Sequence, residues 1–128
     1  MKRYYIIIAL LALLTLSAGC AAGGGEGYQQ MEMKDAAAAM AQDSGYILLD
    51  VRTQEEYDQG HIPGAVNLPN EEIGDIEPEQ LPDKEQTIYV YCHSGRRSKQ
   101  AAEKLSALGY TGLIEIGGIL DWDGDLEQ

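Results

Sequence analysis

The sequence predicts an α/β fold built on a parallel sheet, and three observations predict it. Short apolar runs alternate with helical patterns along the chain, as in sheets whose strands are joined by helical crossovers. Tyr46-Ile47-Leu48-Leu49 is wholly apolar, which suits a strand covered on both faces, as the strands of parallel sheets are. A second such run, Thr87-Ile88-Tyr89-Val90-Tyr91, stops at Cys92. Six residues after that cysteine, Ser98, Ala101, Ala102, Leu105 and Leu108 begin a helical pattern.

Taken in order, Tyr28 to Met31 suits a short edge strand. Met33 to Gln42 reads as a helix, with its alanine run at 36–39 and Met40, and Asp43-Ser44-Gly45 stops it. The strand Tyr46–Leu49 runs into Asp50-Val51-Arg52. Thr53 then suits an N-cap with Glu56 three residues on, a capping box, and Gly60 ends the short helix. His61-Ile62-Pro63-Gly64 reads as a turn before the apolar run Ala65–Pro69. A short helix is expected near Glu71–Ile76, with a loop through Pro78 and Pro82. Arg97 to Leu108 is the helix after Cys92, capped by Gly109, and Leu113-Ile114-Glu115-Ile116 is the last strand. Gly117-Gly118 permits a close backbone approach near the cysteine loop. Trp122 reads as a packing residue. The short acidic tail is expected to leave the last turn frayed.

The first residues form a separate unit. Lys2-Arg3 precedes the apolar stretch Tyr4–Leu16, and Ser17-Ala18-Gly19 precedes Cys20: the layout of a secretory signal over 1–19. Small residues before a cysteine resemble the lipobox of bacterial lipoproteins, which implies cleavage before Cys20 and lipidation of its sulfur. Ser17 stands where that motif favours leucine. The alternative is an uncleaved anchor, since no charge interrupts Tyr4–Gly25. Both layouts place the domain outside the cytoplasm, attached to a membrane. Residues 20–27, rich in glycine, form a flexible tether, and residues 28–128 form one domain.

The chain has 128 residues and a formal net charge of −12. Lys2 and Arg3 lie in the leader, so the domain is more acidic than that. A surface of this sign repels nucleic acid, and no basic aromatic patch offsets it. The two cysteines, Cys20 and Cys92, give no disulfide framework if Cys20 is lipidated.

Cys92 is therefore the residue to explain. A lone cysteine at a strand end is most often a small buried hydrophobe. Yet His93-Ser94-Gly95-Arg96-Arg97 do not make a core. A tight loop entering a helix gathers unpaired N–H groups, and the helix dipole adds positive potential. With Arg96 and Arg97 beside it, a thiolate would be stabilised there, and so would a second anionic atom bonded to its sulfur.

Asp50-Val51-Arg52, Glu56-Tyr57 and Gly60-His61-Ile62-Pro63-Gly64-Ala65-Val66-Asn67-Leu68-Pro69 together resemble the first signature of rhodanese-like domains. Tyr91-Cys92-His93-Ser94-Gly95-Arg96-Arg97-Ser98 resembles their active-site loop, and Gly109-Tyr110, Gly117-Gly118-Ile119 and Trp122 resemble their C-terminal signature. The resemblance implies a central, mostly parallel sheet flanked by helices, with the cysteine loop at the carboxyl end of a strand. It implies a structural role for Asp50, Arg52, Glu56 and His61. For His61 the alternative is a base or metal ligand, although no second ligand stands at usable spacing, and no metal or organic cofactor is implied. It also implies sulfur transfer through a Cys92 persulfide cradled by His93 to Ser98, from thiosulfate or a similar anion to a thiol or cyanide. Arg96 and Arg97 would draw the donor, Ser98 would donate a hydrogen bond or cap the helix, and His93 would contact substrate or point to solvent. Two alternatives stay open. One is a persulfide carrier or interaction module serving a protein acceptor. The other is arsenate reductase or phosphatase chemistry, which in this fold uses a loop with arginine six positions after the cysteine; here that position is Ser98.

Overall fold

The structure, a computed structural model, describes residues 27–128; the leader, most of the tether and Cys20 lie outside the described residues. Five strands form one sheet: β1 (Gln29–Gln30), β2 (Ile47–Asp50), β3 (Val66–Asn67), β4 (Thr87–Cys92) and β5 (Gly112–Gly118). Their order is β1-β5-β4-β2-β3, and every pairing is parallel. The helices α1 (Met33–Gln42), α2 (Gln54–Gln59) and α3 (Arg96–Ala107) connect them.

Period-two alternation assigns the faces. On β4, Ile88, Val90 and Cys92 join the cluster under α3, with Leu49, Ala101, Leu105 and Leu113. Tyr89 and Tyr91 join the opposite cluster with Met33, Ala36, Met40, Ile62 and Ile116. Both faces of the sheet are thus covered, which is why β2 and β4 read as unbroken apolar runs. Helices α1 and α3 each meet the sheet along one stripe: Met33, Ala36 and Met40 on α1, and Ser98, Ala101, Ala102 and Leu105 on α3.

The crossover from β2 leads outward to β3, whereas the one from β4 leads the other way, to β5. The strand order therefore reverses between β2 and β4, and the crevice at their carboxyl ends is where open parallel sheets place their sites. Asp50 ends β2 and Cys92 ends β4 at that crevice.

Several elements differ from the sequence reading. The helix expected near Glu71–Ile76 is only a 3-10 turn, Asn70–Glu72. The Asn70 amide is held by Gln100 at 2.9 Å and Gly74 follows closely, so the turn does not propagate. Helix α3 starts one residue earlier than expected, at Arg96, behind Gly95 in the left-handed region (φ +104°). Strand β5 extends to Gly118 because a bulge carries it past Glu115: Val90 pairs Glu115, but Cys92 pairs Gly118. Gly117 takes φ +88° there, which a glycine adopts without strain. The tail is not frayed. His61 and Glu127 exchange backbone hydrogen bonds of 2.9 and 2.8 Å, which pins residue 127 to the turn after α2.

The last strand also explains the glycine pair. A Cβ on Gly118 would overlap the His93 carbonyl and press on the Ser94 Cα. Gly118→Ala is therefore expected to destabilise the domain by about 1–3 kcal/mol, read by urea unfolding, because backbone must move to admit the methyl group. Gly64→Ala, where no atom lies near the added carbon, is strained only by its backbone angle (φ +83°) and leaves the cysteine loop in place.

Candidate active site

The site is framed by a buried carboxylate. Asp50, fully buried, accepts from the Arg52 backbone N–H at 2.9 Å and from the Arg52 guanidinium at 2.7 to 3.1 Å. The Tyr91 hydroxyl donates to the same carboxylate at 2.7 Å and accepts from the Ile62 N–H at 3.1 Å. Arg52 also donates to the Gly60 carbonyl at 2.7 Å. The ends of β2 and β4 and the turn after α2 are thus tied at one point. Burial, then the neighbouring Asp50 charge, pushes the Tyr91 hydroxyl far above its ordinary range, so it stays a donor. His61 stacks on Tyr57 at 3.7 Å, with Nδ1 2.9 Å from the Tyr57 carbonyl. Among the described residues no cluster of His, Cys, Asp and Glu could hold a metal ion.

Cys92 lies at the end of β4 with 1% of its surface exposed. The Gly95 N–H donates to its sulfur at 3.0 Å. The first-turn N–H groups of α3, which have no acceptor within the helix, lie at the same end of the sheet. The Ser98 hydroxyl stands 3.5 Å from the sulfur. Ser98 is the third residue of α3, not its cap, and its hydroxyl also reaches the Gly95 carbonyl at 2.9 Å. His93 and Ser94 are exposed, and the His93 carbonyl accepts from the Leu120 N–H at 3.4 Å.

The two arginines separate. Arg97 forms a two-pronged pair with Glu56, at 2.6 and 3.0 Å. Thr53 and Glu56 complete the capping box of α2, so the helix start holds the carboxylate that holds the arginine. Arg97 is therefore held by Glu56, a partner that the sequence does not reveal. Arg96 is exposed and makes no hydrogen bond or ion pair among the described residues. A cleft of about 470 Å³ opens here, lined by Arg52, Glu56, His93, Ile119, Leu120 and Leu126. A somewhat larger cleft, about 520 Å³, lies beside Met31, Lys34 and Asp121.

Sequence reasoning missed Glu115. It is 3% exposed on β5, accepts from the Gly117 N–H at 2.8 Å and receives the Ser98 hydroxyl at 2.5 Å. The signal was visible: one carboxylate inside an otherwise apolar strand run must be partnered when buried.

This geometry coincides with a family match. The model of the rhodanese-like domain matches residues 33–125. The thiosulfate sulfurtransferase PspE of Escherichia coli is 45% identical over 73 residues, covering 57% of this chain and 70% of that protein. A sulfurtransferase of Allochromatium vinosum is 34% identical over 94 residues, covering 73% and 86%. The solved structure of human single-domain sulfurtransferase TSTD1 aligns with a TM-score of 0.60 at 30% identity, covering 70% of this chain and 88% of that one. Other curated relatives are longer, and the chain spans 45% of one and 23% of another. The chain belongs to the rhodanese-like domain family.

The Glu56–Arg97 pair sets a pH dependence. The Arg97 hydrogen bond holds the Glu56 carboxyl down from 4.5 to about 2. A carboxyl depressed by folding stabilises above its unfolded value and loses that contribution as pH falls through its folded one. Urea unfolding should therefore show wild type more stable than Glu56→Gln above pH 4.5, with the gap closing as pH falls towards 2.

Proposed function

We propose that this protein transfers sulfane sulfur through a persulfide on Cys92. The observation that carries the reading is the sulfur itself: buried at a strand end, it receives the Gly95 N–H in the loop that enters α3, next to Arg96, which has no partner among the described residues. The sulfurtransferase relatives support the same chemistry.

In this reading the Cys92 thiolate attacks the outer sulfur of thiosulfate or a similar anion. Its electron pair forms the new S–S bond, and sulfite leaves with the pair of the old one. Arg96 draws the anion to the loop, because it is the loop arginine without a partner among the described residues. Arg97, braced by Glu56, holds positive potential near the sulfur; beyond Glu56, its charge is favoured by Cys92. The persulfide anion then takes N–H donors of the loop and of the α3 start. A thiol or cyanide attacks the outer sulfur and releases Cys92. The apolar rim of Leu120 (67% exposed) and Leu126 (52% exposed) suits an acceptor with an apolar part, including a protein thiol.

We further propose that the domain works outside the cytoplasm, held to a membrane by a lipid on Cys20. That reading rests on the leader sequence alone. Labelled-palmitate incorporation in a bacterial host, present in wild type and lost in Cys20→Ala, would support it; equal labelling would end it.

Thiocyanate production from thiosulfate and cyanide tests the transfer reading. Cys92→Ser should fall to the uncatalysed rate. Arg96→Ala should raise KM for thiosulfate about two- to five-fold with little change in kcat, the effect of losing one exposed charge contact. Full turnover in Cys92→Ser would overturn the reading.

A further inference from the structure

Three buried side chains form a continuous chain away from the nucleophile. Cys92 Sγ lies 3.5 Å from Ser98 Oγ, and Ser98 Oγ lies 2.5 Å from Glu115 Oε1. Cys92 and Glu115 are 1% and 3% exposed, and Ser98 is fully buried. The direction of the chain is set by its members. The thiol S–H donates to Ser98 Oγ. The single Ser98 proton has three acceptors in reach, and the Glu115 oxygen is nearer than the carbonyls of Gly95 (2.9 Å) and Gly117 (3.4 Å). Glu115 Oε1 also accepts the Gly117 N–H, so this oxygen is an acceptor on both sides.

Glu115 occupies a position where β5 would otherwise present an apolar residue to α3, next after Leu113 on that face. A carboxylate at such a position carries a desolvation penalty, and anchoring the bulge at Gly117 needs only a neutral acceptor. A glutamine would serve there equally well. What a glutamine cannot do is take up a proton.

We propose that Glu115 stores the Cys92 thiol proton through Ser98 during the transfer cycle. The inference rests on the sulfur-transfer reading above. In the first half, the Sγ–H bond breaks, the proton moves to Ser98 Oγ, and the Ser98 proton moves to Glu115 Oε1. The freed Sγ pair bonds to the outer sulfur of the donor, and sulfite leaves with the S–S pair. In the second half, the acceptor's pair bonds to the outer sulfur, Sγ leaves with its own pair, and the proton returns from Glu115 through Ser98. No external proton is needed. Thiol with carboxylate and persulfide anion with carboxylic acid carry the same net charge of one, so the buried site never holds two negative charges. Glu115 touches no reacting atom; it acts through Ser98.

The charged and titratable groups on the elements around this chain are these. Helix α3 carries Arg96, Arg97, Lys99, Glu103 and Lys104, the loop carries His93, β4 carries Tyr89, Tyr91 and Cys92 itself, and Glu56 on α2 holds Arg97. The edge strand β1 carries only glutamines. The pH response of the thiol is therefore read against Glu115→Gln, with these groups unchanged.

The test uses the full chain. Alkylation of Cys92 by iodoacetamide and persulfide formation from thiosulfate are each followed across pH in wild type, Glu115→Gln and Ser98→Ala, with thermal melts to confirm folding. Both variants should slow persulfide formation at neutral pH about 100-fold, recover as pH rises and hydroxide replaces the internal acceptor, and leave KM for thiosulfate unchanged. Alkylation should follow the same pattern. An unchanged or faster rate in folded Glu115→Gln overturns the proposal, because removing only a neighbouring negative charge would favour the thiolate. A second readout needs no variant. Infrared difference spectra on loading wild type with sulfur should show a protonated-carboxyl band, and its absence overturns the proposal. If wild type takes no sulfur from thiosulfate, the transfer reading fails by itself, while the alkylation comparison still decides the relay.

Discussion

The Asp50 carboxylate is the interaction on which the site depends. It is fully buried, and it is tolerated because Arg52 and Tyr91 satisfy it completely. A buried ion pair of this kind is a weak source of net stability, yet it leaves little freedom, since losing either partner strands a charge at a cost of about 3–5 kcal/mol. Its value is geometric. Tyr91 precedes Cys92, and Arg52 reaches the Gly60 carbonyl, so the carboxyl end of β4 and the turn before β3 are fixed together. Gly60 of that turn also lines the cleft beside His93.

The opposite side is set by β5. Its bulge at Gly117 brings Gly118 against the carbonyl of His93, where no side chain fits. The cysteine loop therefore packs against the β5 backbone, and the Gly95 N–H is held 3.0 Å from the sulfur without help from a side-chain cap. The electrostatics divide in the same way. Glu56 pairs with Arg97 and keeps it in place, whereas Arg96 has no partner among the described residues, at the surface of a strongly acidic protein.

Much of this was legible in the sequence. The capping box at Thr53 and Glu56, the apolar β2 and β4, and α1 from Met33 to Gln42 follow from local rules that tertiary packing does not oppose. The place of Cys92 at a strand-to-helix junction was legible for the same reason. The partners of the charged residues were not. Neighbouring arginines 96 and 97 look equivalent in a string, and only the fold brings Glu56 to one of them, 41 positions away. The 3-10 turn at Asn70 was misjudged because its length is set by a contact with Gln100, 30 residues on. The tail was misjudged because its anchor, His61, is remote in sequence. Glu115 was written off as part of a strand, although a lone carboxylate in an apolar run is the pattern that asks for a buried partner.

The central claim is that Cys92 carries sulfur covalently. Its most direct test is the intact mass of the chain before and after incubation with thiosulfate, with Cys92→Ala alongside. The account predicts a gain of one sulfur atom in wild type, removed by cyanide and absent from the variant. A wild-type mass that stays unchanged, or an equal gain in Cys92→Ala, would contradict it.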